Sequence, residues 1–185
     1  MSPVLSLLKN DQGSALVEFA IVLPLLVIFT VGIYDFSGAF NQKQKIAQAA
    51  QQGAIVAGAQ PMGDIQTTTA SPNSLQPVVT AVFNSLASSE VLTKANQDPC
   101  KLPTAPGWVP AAPVGLTWTY TIANCSAAYP ADNLVIAINR GSVTPFGANS
   151  ITVATVVTVT YPYHYRWQIF GNPNVTESAT VHNQI

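Results

Sequence analysis

Charge is what this sequence most lacks. Seven Lys/Arg and eight Asp/Glu make up 8% of its 185 residues, where an average soluble domain carries about 25%. The formal net charge is −1 and the cations are scattered, so the basic footprint of a nucleic-acid binder is missing. Nothing in that balance argues for an anionic lipid surface either. So few charges on a solvent-exposed domain point to a surface that meets other protein. Histidine is as scarce: His164 and His182 are the only two, with Asp98, Asp132 and Glu177 as possible partners. There is no HExxH, no GxSxG, no phosphate-binding glycine loop and no CxxC. No two of these side chains stand at ligand spacing on one element, so no metal site is expected. His164 reads as a surface residue on an exposed strand face. The chain is not expected to be an enzyme, and the sequence identifies no cofactor and no small-molecule substrate.

What the sequence does have is apolar residues, 48% of the total, and their densest run is near the start. Residues 15–40 read ALVEFAIVLPLLVIFTVGIYDFSGAF. The uncharged stretch Phe19 to Tyr34 is short of the ~20 residues needed to span a bilayer. Extending it back to Ala15 reaches that length but encloses Glu18. A carboxylate inside such a segment costs a few kcal/mol and is a functional suspect by default. Plainer readings exist. Glu18 can mark the start of the span and snorkel to the interface. A capping box would need Ser or Thr three residues earlier, whereas Ser14 is four residues earlier. A cleaved secretory signal would use Ser37-Gly38-Ala39 as its small-residue site, but the apolar core is long for that and Lys9 stands beside Asp11.

The order of residues around Glu18 is more specific. Gly13 is followed by Ser14-Ala15-Leu16-Val17-Glu18-Phe19. Further on come Leu23-Pro24-Leu25-Leu26, Gly32-Ile33-Tyr34-Asp35-Phe36 and the Gln/Ala-rich run Ala47 to Ala54. This resembles type IV pilin-like precursors, most closely the TadE-like pseudopilins of tight-adherence (Flp) pilus systems. The resemblance is strong over 13–58 and absent from there to 150. It is looser over 150–183, where Val157 to Tyr163 is similar to a late strand of the family and Glu177 to Asn183 to its closing segment. It implies that a membrane prepilin peptidase cuts between Gly13 and Ser14, and that Glu18, as fifth mature residue, acts in assembly. Where the family more often has Glu, this chain has Asp35, so no role is carried over to that carboxylate.

Elementary chemistry makes sense of that spacing. Cleavage after Gly13 would leave a free α-amine on Ser14 at the bilayer edge. Glu18, one helical turn along, shares its face and can pair with that amine or with a neighbouring subunit's, neutralising two costly charges together. Gly13 lets an extended backbone approach the protease closely. Pro24 removes the hydrogen bond to the Ala20 carbonyl, so a kink is expected there; it can be a flexible point for assembly or incidental. Lys9 before the span and Lys43 and Lys45 after it leave the positive-inside count nearly tied. The resemblance and the cysteines, not charge, therefore place the C-terminal part outside.

From Asn41 to Ala59 the helical pattern continues, with Ile46, Ala49/Ala50, Gly53/Ala54 and Ala57 as a stripe of small residues that permits close approach. A helix from Ser14 to Ala59 would run about 69 Å. Pro61 to Asp64 ends it, and Gln66 to Asn73 reads as a linker. A second helix is expected from Ser74 to Ala95, with Ser74 as cap, Pro77 in the first turn and Val78/Val79, Val82/Phe83 and Leu86 on one face. Cys100 and Cys125 are the only cysteines. In an oxidising compartment they read as one disulfide contributing about 3 kcal/mol; otherwise they are two buried thiols. Pro99, Pro103, Pro106, Pro110 and Pro113, with Trp108, suggest an extended loop between them. Alternation marks strands over Leu116 to Ile122, Leu134 to Asn139 and from Ile151 through Tyr161, Tyr163 and Tyr165 toward Arg166. Arg140-Gly141-Ser142 reads as a turn, and Pro162 as the edge or end of a strand.

The expected fold is α+β: a long transmembrane and stalk helix, a second helix and an antiparallel sheet packed on the first. The expected organisation is a cleaved leader over 1–13, the helix over 14–59 and an exported domain over 60–185. The expected function is that of a minor pilin or pseudopilin with prepilin peptidase, other pilin subunits and the inner membrane as partners. Its single-pass anchor would leave the C-terminal domain in the periplasm or on the pilus or cell surface. The alternative is a signal-anchored or secreted surface-binding module.

Overall fold

The computed structural model describes residues 11–65, 72–102, 111–145, 151–166 and 171–183. Residues 1–10 of the expected leader 1–13, most of the expected linker from Gln66 and the proline-rich stretch 103–110 with Trp108 lie outside them. The chain forms two compact units, Met1–Ala39 and Phe40–Ile185, and helix α1, Asp11–Ala59, contributes to both.

In the first unit α1 buries no apolar face. Leu16, Val17, Phe19, Ile21, Leu25 and Ile28 point to all sides of the helix and are 53–72% exposed. That all-round apolar surface is the pattern of a helix meant for lipid or for other helices rather than for a soluble core. Among the described residues it is the one helix long and apolar enough to cross a membrane. Pro24 lies inside α1 without ending it.

In the second unit the same helix becomes one-sided. Ile46, Ala49, Ala50, Ala54 and Ala57 are fully buried, at the three-to-four spacing that defines one helical face. Their small size brings the neighbours in. A Cβ added to Gly53 would fall well inside contact distance of Val82 Cγ2 and 3.2 Å from Val157 Cγ1, so α1 touches both the second helix and the sheet there.

A 3-10 turn, Asn73–Leu75, leads into α2, Gln76–Ser88, with Pro77 in its first turn and Val78, Val79, Val82 and Leu86 buried. This helix is shorter than Ser74 to Ala95, and Ser74 does not cap it. The Ser74 N–H instead donates to Asp64 Oδ2 at 2.8 Å, and its hydroxyl makes no cap bond. The helix stops because its apolar stripe runs out: Ser89 and Glu90 fall where the next apolar pair should be. Val91 and Leu92 reach the core only after Glu90 takes φ 61°, a conformation costly for a side chain other than glycine. Both following N–H groups then donate to the Leu86 carbonyl at 3.1 Å, satisfying a helix end. A four-residue helix α3, Lys94–Gln97, follows.

The remainder is a five-stranded antiparallel meander in the order β1-β2-β3-β4-β5: Ala111–Val114, Thr117–Ile122, Leu134–Pro145, Ile151–Pro162 and Asn174–His182. Edge strand β1 lies within the stretch read as an extended loop, and contains Pro113, which an edge tolerates. Cross-strand rows Trp118–Ile138–Val157 and Tyr120–Ile136–Val159 face inward and join the buried stripe of α1 and the apolar face of α2 in one core. The fold is thus the α+β layout read from the sequence, with the sheet packed on the later half of α1.

Two details differ. Arg140-Gly141-Ser142 is no turn but a bulge inside β3, where the register with β4 shifts between Asn139 and Ser142. Arg140 continues the inward alternation of Leu134, Ile136 and Ile138 and is fully buried, donating from Nη2 to the Gln60 carbonyl at 2.8 Å and from Nη1 to that of Pro61 at 3.3 Å. Gly141 is needed because Leu116 covers it: a Cβ there would meet Leu116 Cδ1 at 2.6 Å. Second, β4 ends at Pro162, so Tyr163, Tyr165 and Arg166 lie beyond the strand. Tyr163 and Tyr165 pack edge to face, 5.0 Å between centroids.

Candidate functional site

Gly13 and Ser14 lie within α1. Glu18 lies one turn further on, exposed among exposed apolar neighbours. The four-residue interval from Ser14 to Glu18 in a regular helix puts both on one face. Pro24 follows after less than two more turns. These four residues occupy one short, otherwise apolar segment; Ser14's own side chain lies outside what is described.

Cys100 and Cys125 are joined by a disulfide that closes a separation of 25 residues, and both are fully buried. The bridge ties α3's end to the turn after β2. That turn is held further by Cys125 N–H donating to the Asp132 carbonyl at 2.8 Å and by the Tyr161 hydroxyl donating to the Cys125 carbonyl at 2.8 Å. Burial, with the negative charge of Asp132 adding to it, pushes the Tyr161 phenol up to about 12, so it stays a donor at any ordinary pH.

Beside the bridge is an arrangement that the sequence offered only as one of several possible pairings. His164 is not a free surface residue. Its Nε2 lies 2.6 Å from Asp132 Oδ2, with side chains only 18% and 12% exposed, and its ring stacks on Tyr129 at 3.6 Å between centroids, 6° from parallel. Asp132 and His164 are 32 residues apart on different elements, so no spacing rule could pair them. The one available signal was Pro162: once a strand must end there, alternation no longer assigns His164 to a sheet face. The pair borders a cleft of about 330 Å³ whose lining includes Asn133, Thr160, Asn172 and Asn174. Among the described residues no group of three or more His, Cys, Asp or Glu could hold a metal ion.

Residues 13–54 match the family model described as TadE-like protein, less than a quarter of the chain. The matched segment contains Gly13, Ser14, Glu18, Pro24 and the small-residue stripe as far as Ala54. It is consistent with a TadE-like pseudopilin of the tight-adherence system. No curated protein and no solved structure matches the chain.

Proposed function

We propose that this chain is a minor pilin or pseudopilin of a tight-adherence (Flp type IVc) pilus, processed after Gly13 by a prepilin peptidase and assembled through its N-terminal helix. One observation carries this reading: Glu18 stands five residues after Gly13, in a helix apolar on all sides, inside the segment matching the TadE-like family. A lone carboxylate in such a helix needs a partner, and the amine released on Ser14 lies one turn away on the same face. Pairing within a subunit would ease its residence in the inner membrane; pairing between subunits would set their stagger during assembly. The second unit, Phe40–Ile185, would then stand in the periplasm or on the pilus surface, where an oxidising compartment keeps Cys100–Cys125 closed.

N-terminal sequencing of the chain recovered from its native membrane tests the reading. Ser14 as first residue supports it. Phe40 would make the chain a secreted protein, and Met1 a signal-anchored one. Glu18→Ala should leave that cleavage intact and cut recovery of the subunit in sheared pilus fractions at least tenfold; normal incorporation would refute the amine-pairing role.

A further inference from the structure

We propose that the cleft beside the Asp132–His164 pair is a binding site for a neutral, hydroxyl-rich ligand of one or two sugar rings. The inference goes beyond the pilus reading and does not rest on it. The cleft, about 330 Å³, is at the small end of the ~300–1,000 Å³ range of ligand sites.

Its lining selects the chemistry by exclusion. Among the described residues no Lys or Arg borders it, and His164 is already committed to Asp132, so an anion would find no counter-charge among them. Asp132, the only carboxylate among the described lining residues, is committed in turn, so a cation finds no free partner among them either. Among the described residues Ala131, Val135 and Pro162 are its only aliphatic lining, too little for a lipid chain. What remains is Asn133, Asn172, Asn174 and Thr160, three amides and a hydroxyl that each donate and accept. A sugar hydroxyl also does both, and the C–H face of a sugar ring can rest on Val135 and Pro162.

The walls are fixed in advance. One is the turn from Ser126 to Asn133, held by the disulfide, by Cys125 N–H to the Asp132 carbonyl and by Asp132 N–H to the Tyr129 carbonyl. The other, Asn172 to Asn174, is pinned by Tyr163 N–H donating to the Pro173 carbonyl at 3.0 Å. The floor is sheet, with Val135 opposite Thr160 and Pro162 opposite Asn174. The stacked His164 ring closes the corner between them. Polar groups held this way need little ordering on binding, which is where weak polar sites usually lose affinity.

The test uses the full chain in lauryldimethylamine oxide micelles, a detergent without sugar, on an array of neutral mono- to tetrasaccharides beside sialylated and phosphorylated glycans. Wild type should retain at least one neutral glycan. Asn133→Ala and Asn174→Ala, both at exposed positions, should each weaken that binding about tenfold, the loss of roughly one well-placed hydrogen bond. Gln51→Ala, exposed on α1, should leave it unchanged. Failure to retain any neutral glycan, retention of only the anionic ones, or signals indifferent to Asn133 and Asn174 would each overturn the proposal.

Discussion

Gly53→Ala should destabilise the second unit, although alanine is the better helix former. On an open helix surface the exchange stabilises by about 1 kcal/mol. At Gly53 the added methyl would enter the space of Val82 Cγ2 and come within 3.2 Å of Val157 Cγ1. Val82 is fully buried and, being β-branched, has one strongly favoured rotamer in a helix, so it cannot turn aside. Overpacking of this kind costs about 1–3 kcal/mol, leaving a net loss of about 1 kcal/mol, or roughly 3–4 °C in Tm for a unit of this size. The readout is thermal unfolding of the full chain in micelles, followed by near-UV circular dichroism of the aromatic core. Val82→Ala, costing about 2 kcal/mol alone, should relieve the clash, so the double variant should lose less than the sum of the singles by about 1 kcal/mol. Gly32→Ala, also in α1 but with nothing within 4 Å, should not lower the transition. A rise in Tm for Gly53→Ala, or strict additivity with Val82→Ala, would refute the close-packing account of the stripe.

Cys100→Ser with Cys125→Ser should lower stability by about 3 kcal/mol, roughly 9 °C in Tm, and wild type under reductant should match it; equal melting of all three forms would show the bridge to be dispensable. Arg140→Met should cost about 2–3 kcal/mol in urea unfolding, because the Gln60 and Pro61 carbonyls lose their buried donor. Arg140→Lys should recover less than half, since an ammonium cannot reproduce the guanidinium fork. Tyr161, with its phenol raised to about 12 from 10, contributes stability that is complete below pH 10 and lost as pH climbs from 10 to 12. Tyr161→Phe should therefore flatten the fall in Tm over that interval, and an unchanged alkaline limb would contradict the assignment.

How much of this was legible depended on whether the signal was periodic. The small-residue stripe from Ile46 to Ala57 and the alternation at Trp118, Tyr120 and Ile122 are local patterns, and the core is built on them. The apolar stripe of α2 lapses locally at Ser89 and Glu90, but Val91 and Leu92 resume apolar character at once, and where they must go is a tertiary demand on a helix of acceptable local propensity. Arg140 was misread for a related reason. Arg-Gly-Ser has the composition of a turn, but its guanidinium is buried on the carbonyls of Gln60 and Pro61 just past the end of α1, and the three residues form a bulge in a continuous strand. The His164–Asp132 contact joins segments whose only shared property is position in the finished sheet, so no spacing in the sequence carried it.

The scarcity of charge also takes on a different meaning once the register is known. Few charges suggested a surface covered by other protein, yet the outer face of the sheet is polar without them. Its cross-strand rows run Thr121–Val135–Thr160–Thr176, Thr119–Ala137–Thr158–Ser178 and Thr117–Asn139–Val156–Thr180. Threonine serves both needs of such a face, since its branched Cβ suits the pleat and its hydroxyl bonds to water or to a neighbour, as Thr160 and Thr176 do at 2.9 Å. Hydroxyls set no long-range field, so this face would neither steer nor repel a charged partner, and recognition on it must come from shape and hydrogen bonding at short range. That requirement favours a site with rigid walls over an open surface, and the row ending in Thr160 and Thr176 leads into the cleft where the disulfide-held turn and the pinned return after Tyr163 supply such walls.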